Sequence, residues 1–210
     1  MSITTTVLGL SFSMPGSTTG CGLTLGGNAA RIEHWPHNPD GEPLTLVATI
    51  DCGRMREPIQ IDSLPAQGVV YVFCTYSADD YFLDSITFDA AVLQRPTRPS
   101  GYTAVLPAGD HPLQYSPVSS IEQRTATLSA RALEPGEIPA DSLICTTPPC
   151  WAPVDPQIGE DYQFFCQLYS ADFPAPFTDV FYLTDAVAHL YLRKPGSQAE
   201  AAGLFFVHTA

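Results

Sequence analysis

Asp79, Asp80 and Asp84 place three carboxylates within six positions of the chain. Carboxylates at such spacing can ligate a hard cation or share general acid and base work. Either use needs a pocket in which several of them converge, usually with a histidine or another base to hold the substrate. The stretch Asp79-Asp80-Tyr81-Phe82-Leu83-Asp84 has no histidine nearby and does not follow the spacing of an EF-hand loop. A third use is recognition of another protein. Tyr76, Tyr81 and Phe82 interleave the acids, and aromatic side chains ringed by charge have the make-up of a binding hot spot. Solvated loop acids are the plain alternative. Tyr76, Asp79, Asp80, Tyr81, Phe82 and Asp84 are the candidate partner-binding residues.

Other groupings carry less. Glu33, His34, His37 and Asp40 fall within eight residues, in "EHWPHNPD". They would seat a metal only if the loop folded back on itself, and Pro36 and Pro39 favour an extended, packed loop instead. Cys145 and Cys150 bound "CTTPPC", but a zinc site wants a tighter pair and a second pair elsewhere. Cys21, Cys52, Cys74 and Cys166 are scattered. A stiff turn is the first reading of that loop, with a metal or a disulfide as alternatives. His111, His189 and His208 stand alone, and His189 lies within a strand pattern. No Gly-x-Ser-x-Gly elbow occurs. "GLTLGGN" lacks the Gly-Lys-Ser/Thr of a P-loop. Basic and aromatic residues do not interleave as a nucleic-acid surface requires. No catalytic residue, metal or cofactor is assigned.

The charge balance frames these candidates. The chain has 22 acids against 9 bases, a formal net charge of −13, and its one lysine is Lys194. From Glu57 to Gln94 there are six acids and no base, and from Ala132 to Leu192 nine acids and no Lys or Arg. Such a surface repels nucleic acid and anionic lipid and attracts basic partners, although solubility alone also favours acidity. No apolar run approaches the roughly 18 residues of a membrane-spanning helix. The N-terminal "MSITTTVLGLSFSMPG" has no base before its apolar part, so it reads as mature chain rather than a signal peptide. The expected compartment is the cytoplasm, with the cysteines reduced.

The elements that must position the candidates are mostly strands. "TTTVLGLSF", "LTLVATID", "GVVYVFCTY", "SITFDAAVL", "DYQFFCQLYS", "AVAHLYLRK" and "GLFFVHTA" are β-branched and apolar. "GVVYVFCTY" is apolar on both faces, as in a strand covered on both sides. "RTATLSARAL" alternates Ala126, Leu128, Ala130 and Ala132 against Thr125, Thr127, Ser129 and Arg131, a period of two that reads as a strand, with a helix as the alternative. "SPVSSIEQR" has a serine cap and Glu122 in a first turn, the signature of a short helix. Twenty prolines and fifteen glycines break the chain often. The expectation is one domain over residues 1–210, of the α+β class but β-dominated, with mixed or antiparallel sheets and a few short helices. Strand, loop, strand from "PLTLVATIDC" to "GVVYVFC" echoes "DYQFFCQLYS" to "AVAHLYLRK". This suggests related halves at 1–134 and 157–210, joined by a Pro-rich connection over 135–156. A competing register repeats "YSAD" at Tyr76 and Tyr169.

These phrases in this order resemble the YwqG-like bacterial family. The resemblance covers nearly the whole chain and rests on "LTLGGNA", "EHWPHNPDGEPLTLVATIDC", "SLPAQGVVYVFC", "CWAPVDPQIGEDYQFFCQLYSAD" and "DAVAHLYLRKPGSQAEAAGLFFVHT". The family's N-terminal helix has no counterpart here. "CTTPPC" stands for its later Gly-Gly pair, and Asp185-Ala186 for its Asp-Gly step. The resemblance implies a mixed α+β fold and brings no catalytic residues to carry over. It also implies a bacterial setting in which some relatives look like immunity proteins beside contact-delivered toxins. The functional expectation is an acidic immunity protein, not an enzyme, that occludes the active site of a cognate basic toxin such as a nuclease of a contact-dependent or type VI secretion system. Two alternatives stay open: an enzyme with a cleft between the halves, and a small-molecule or peptide sensor. Oligomeric state is not legible.

Overall fold

The computed structural model describes residues 5–13, 19–87, 101–134, 136–145 and 156–208. Among these the chain is β-dominated, with twelve strands and three short α-helices. In chain order they are β1 (Thr5–Phe12), β2 (Leu23–Gly27), β3 (Ala29–Arg31), β4 (Thr45–Asp51), α1 (Cys52–Arg56), β5 (Val69–Cys74), α2 (Leu83–Ile86) and β6 (Thr103–Pro107). There follow β7 (Leu113–Tyr115), β8 (Ile121–Leu133), β9 (Leu143–Ile144), α3 (Pro156–Asp161), β10 (Tyr162–Tyr169), β11 (Val187–Arg193) and β12 (Gly203–His208).

Ten strands form one sheet in the order β12-β11-β10-β9-β1-β8-β2-β4-β5-β6, while β3 and β7 pair separately. Every described ladder is antiparallel. The parallel contact among the described residues is an isolated bridge from Thr87 to Val207. The sheet nearly closes on itself, because its edge strands β6 and β12 come together. Thr103 Oγ1 donates a 2.6 Å hydrogen bond to the Phe205 carbonyl there. A Cβ on Gly203 would stand 2.9 Å from Val105 Cγ1, so glycine permits the approach. This approach shields the two edge strands on which sheets aggregate.

The antiparallel meander β4-β5-β6 lies at one end of the strand order and β10-β11-β12 at the other. Each first strand is bulged against its neighbour, between Leu46 and Ala48 in β4 and between Phe164 and Cys166 in β10. A bulge breaks the alternation of faces. Here it turns Val47 and Ala48, and likewise Phe165 and Cys166, into the central core. Leu46 and Phe164 face outward into smaller clusters. The outer face of β4–β6 is packed with Leu46, Tyr71 and Phe73 and covered by Trp35. The outer face of β10–β12 is packed with Phe164, Tyr191 and Phe206 and covered by Ile158 of α3. Thus β5 is buried on both faces, as its continuous apolar run predicts. Each fully buried phenylalanine, such as Phe73 or Phe165, contributes about 1.5–3 kcal/mol.

Two local expectations are corrected. "SPVSSIEQR" does not form a helix, since Ile121 already opens β8, pairs with Gly27 and is buried. Tertiary pairing overrides the local cap signal. "SITFDAAVL" does not begin as a strand: Leu83–Ile86 is helical, with Thr87 Oγ1 donating to the Leu83 carbonyl at 2.8 Å and Ile86 tucked into the core. The rest of that phrase lies outside the described residues. β8 is a strand of period two, yet of its apolar face Ala126 is buried while Ala130 and Ala132 are exposed. Its first half pairs with β2 and its second half with β1, so much of the strand extends past the core. β9 inserts between β1 and β10 from within residues 135–156. Cys150 lies outside the described residues, and with it the reading of a Cys145/Cys150 pair.

Candidate functional site

β5 ends at Cys74 and delivers Tyr76 to one end of the sheet. Ser77 then closes a serine turn: its Oγ accepts from the backbone N–H groups of Asp79 (3.3 Å) and Asp80 (3.0 Å) and donates to Asp80 Oδ2 at 3.1 Å. The turn leaves Asp79 and Asp80 exposed. Phe82 points inward, 5% exposed, and starts α2. Tyr81 stays outside at 59% exposure, and its hydroxyl donates a 2.6 Å bond to Asp84 Oδ1. That bond to a carboxylate raises the Tyr81 phenol above its ordinary value.

A second loop, over residues 173–186, forms the other side of this surface. Phe177 packs 5.0 Å from the Tyr76 ring, and Tyr76 donates to Asp179 Oδ1 at 3.4 Å. Burial, together with the Asp179 charge, raises the Tyr76 phenol. Tyr182 stands edge-on to both Tyr81 (4.9 Å) and Phe82 (5.4 Å). Its backbone is left-handed, φ +74°, held by its N–H donating to the Asp179 carbonyl at 2.7 Å. For a bulky residue that conformation costs about 1–2 kcal/mol, which the packing of this half-buried ring on Tyr81, Phe82 and the core offsets. Leu183 follows at 40% exposure. Tyr102 extends the acidic rim: its carbonyl accepts from Thr75 N–H and its hydroxyl donates to Asp40 Oδ2 at 2.8 Å.

The six sequence candidates therefore sit on one end of the molecule, in three roles. Asp79, Asp80, Tyr81 and Asp84 are exposed, Tyr76 is half-buried, and Phe82 supports the others from beneath. The sequence reading did not include Tyr182, Leu183 or Asp179. The signal was present, since "FPAPFTDVFYLTD" is also aromatic and acidic without a base. Nothing local says that it meets a stretch about a hundred residues earlier. None of Asp79, Asp80 and Asp84 has an ion-pair partner among the described residues, where the ion pairs are Glu33–His34 and Arg131 with Glu137 and Asp141.

The remaining candidates do not converge. Trp35 is buried and donates to the Leu44 carbonyl at 2.7 Å, and Asn38 Oδ1 caps a tight turn by accepting from Asp40 and Glu42 N–H. The loop thus folds back despite its prolines. Even so, His34 pairs outward with Glu33, His37 contacts the Trp35 carbonyl and Asp40 contacts Tyr102. Among the described residues no three His, Cys, Asp or Glu side chains gather closely enough to hold a metal. Cys21, Cys52, Cys74, Cys145 and Cys166 are free thiols. Burial pushes each of them up, Cys52 to about 11 and Cys145 to about 12. An activated nucleophile needs the opposite shift. His189 is buried in β11 between Phe164 and Phe206. No helix among the described residues is long and apolar enough to cross a membrane.

A comparison with curated proteins found no match. A family model described as a domain of unknown function (DUF1963) matches residues 25–135. The match runs from β2 through β8 and takes in the Tyr76–Asp84 loop. Since it spans more than half of the chain, the protein belongs to this family, the DUF1963 domain family.

Proposed function

We propose that this is an acidic binding protein that neutralises a basic protein partner, and that the partner is a cognate bacterial toxin. A nuclease delivered by contact-dependent or type VI secretion suits the chemistry, because a groove that holds phosphate is basic and an acidic surface competes for it. On this reading the protein is a YwqG-like immunity protein acting in the cytoplasm. It covers the toxin's active site and needs no catalytic group of its own.

The observation that carries the proposal is the exposed Tyr81 ring, 4.9 Å from and edge-on to the half-buried Tyr182, with Asp79, Asp80 and Asp84 beside it and without an ion-pair partner among the described residues. Unneutralised charge speeds encounter with a basic partner. Rigid aromatic anchors slow dissociation. The matching bulges and outer clusters of the two meanders support a chain built from two related halves. The two loops of the surface come one from each half. The test is co-expression with the toxin encoded beside the gene. A stable complex and protection of cells are expected. Failure of both would refute the reading.

A further inference from the structure

At the strand ends opposite the Tyr81–Tyr182 surface, the segment before β5 and the turn after β11 enclose an open groove of about 320 Å³. That size lies at the lower end of small-molecule sites. Its lining is unlike the rest of this acidic chain. It includes Arg193 and Lys194, the adjacent pair that holds the only lysine of the protein. Asp62 and Ser63 line the same groove. Ser63 is 5% exposed, and its Oγ has no hydrogen-bond partner among the described residues. A buried hydroxyl left unpaired is unfavourable.

The cationic pair is held in place from behind. Ser197 Oγ donates to Asp161 Oδ1 at 2.7 Å, and Lys194 N–H donates to the Asp161 carbonyl at 2.8 Å. Lys194 Nζ donates to the Gly159 carbonyl, and Arg193 places one of its terminal nitrogens on the Ala199 carbonyl at 2.7 Å. These bonds go to backbone carbonyls and use part of each cation's donor set, so further donors remain on both. No carboxylate neutralises either cation among the described ion pairs.

We propose that this groove binds a small zwitterion, an amino acid or short peptide. Its carboxylate would rest on Arg193 and Lys194, and its ammonium on Asp62. A lining that holds charges of both signs selects this class. A dianion such as phosphate would be repelled by Asp62 and by the net charge of −13. A simple cation would meet Arg193 and Lys194. The site is separate from the protein-binding surface proposed above and does not depend on it.

Two-dimensional amide NMR on the full chain tests the assignment, with glycylglycine, glycine, acetate and inorganic phosphate as probes. Glycylglycine or glycine should give saturable shifts confined to residues 62–66 and 193–198, and the stronger of the two fixes the ligand length. The double variant Arg193→Met/Lys194→Met should weaken that binding at least tenfold. Asp62→Asn, which disturbs no described contact of the fold, should weaken it and narrow the gap to acetate. Absence of saturable shifts with both zwitterions overturns the proposal. So does unchanged affinity in Asp62→Asn, or tighter binding of phosphate than of either zwitterion.

Discussion

The hydroxyl of Thr103 donates a 2.6 Å hydrogen bond to the carbonyl of Phe205, 102 residues later in the chain, across the seam where β6 meets β12. Both residues are buried, so the bond is sheltered from water. Thr103→Val keeps the shape and removes the donor. It should lower unfolding free energy by about 1–3 kcal/mol in a urea titration, and Thr103→Ser should retain most of it. A valine variant as stable as the parent would show that apolar packing alone holds the seam.

Gly26 closes the same fold from another side. It sits at the bulge where β2 meets β8, with φ +67°, and a Cβ there would lie 2.6 Å from the Ile121 carbonyl oxygen. Glycine is needed both for the left-handed backbone and for the close approach. Gly26→Ala should destabilise by more than about 2 kcal/mol. Gly41 also has positive φ (+87°) but nothing within 4 Å, so Gly41→Ala should lose about 1 kcal/mol from strain alone. Equal thermal shifts for the two variants would contradict this.

Reversing charge at Asp79 and Asp80 tests the proposed binding surface without touching the core. Both are exposed, and their backbone contacts run to Ser77. The double variant Asp79→Lys/Asp80→Lys should fold normally and slow association with the proposed basic partner by roughly 10-fold or more at low salt. Added salt should shrink that difference. If the association rate and its salt dependence are unchanged, these acids are a solvated loop.

Tyr81 should act on the other kinetic step. Tyr81→Ala removes the exposed ring beside Tyr182 and is expected to raise the dissociation rate, weakening the complex by about 2 kcal/mol. Tyr81→Phe keeps the ring and loses the bond to Asp84, so it should lie near the parent. Surface plasmon resonance with the proposed toxin partner separates the two. Equal losses in both variants would assign the effect to the hydroxyl.

Raised phenols predict an alkaline limit. Tyr76, Tyr162 and Tyr191 are raised mainly by burial, and Tyr81 and Tyr102 mainly by hydrogen bonds to Asp84 and Asp40. The folded values exceed the unfolded value of ~10. The resulting stabilisation is present in full below pH ~10 and is lost as pH rises through the folded values. Phenolate absorbance of the native chain should therefore lag that of the urea-unfolded chain. Coincident curves would remove the basis for this prediction.

Much of the strand content is legible in the sequence because strands buried on one or both faces must carry long apolar or alternating runs, as β4, β5, β10, β11 and β12 do. The acid and aromatic stretch at Tyr76–Asp84 is legible because charge and ring content are local properties. Strands of two to five residues such as β3, β6, β7 and β9 are too short to show a period, and they emerged only from pairing. Ile121 became a strand residue through its long-range partner Gly27, against a local helix signal. The meeting of Tyr81 with Tyr182, of Thr103 with Phe205 and of Ser63 with the Arg193–Lys194 turn depends on how a ten-stranded sheet curls until its edges meet. Composition and local pattern determine which residues seek burial, charge or a turn. Which distant loops share a surface is decided by sheet closure, a sum of many weak long-range pairings that no local window contains.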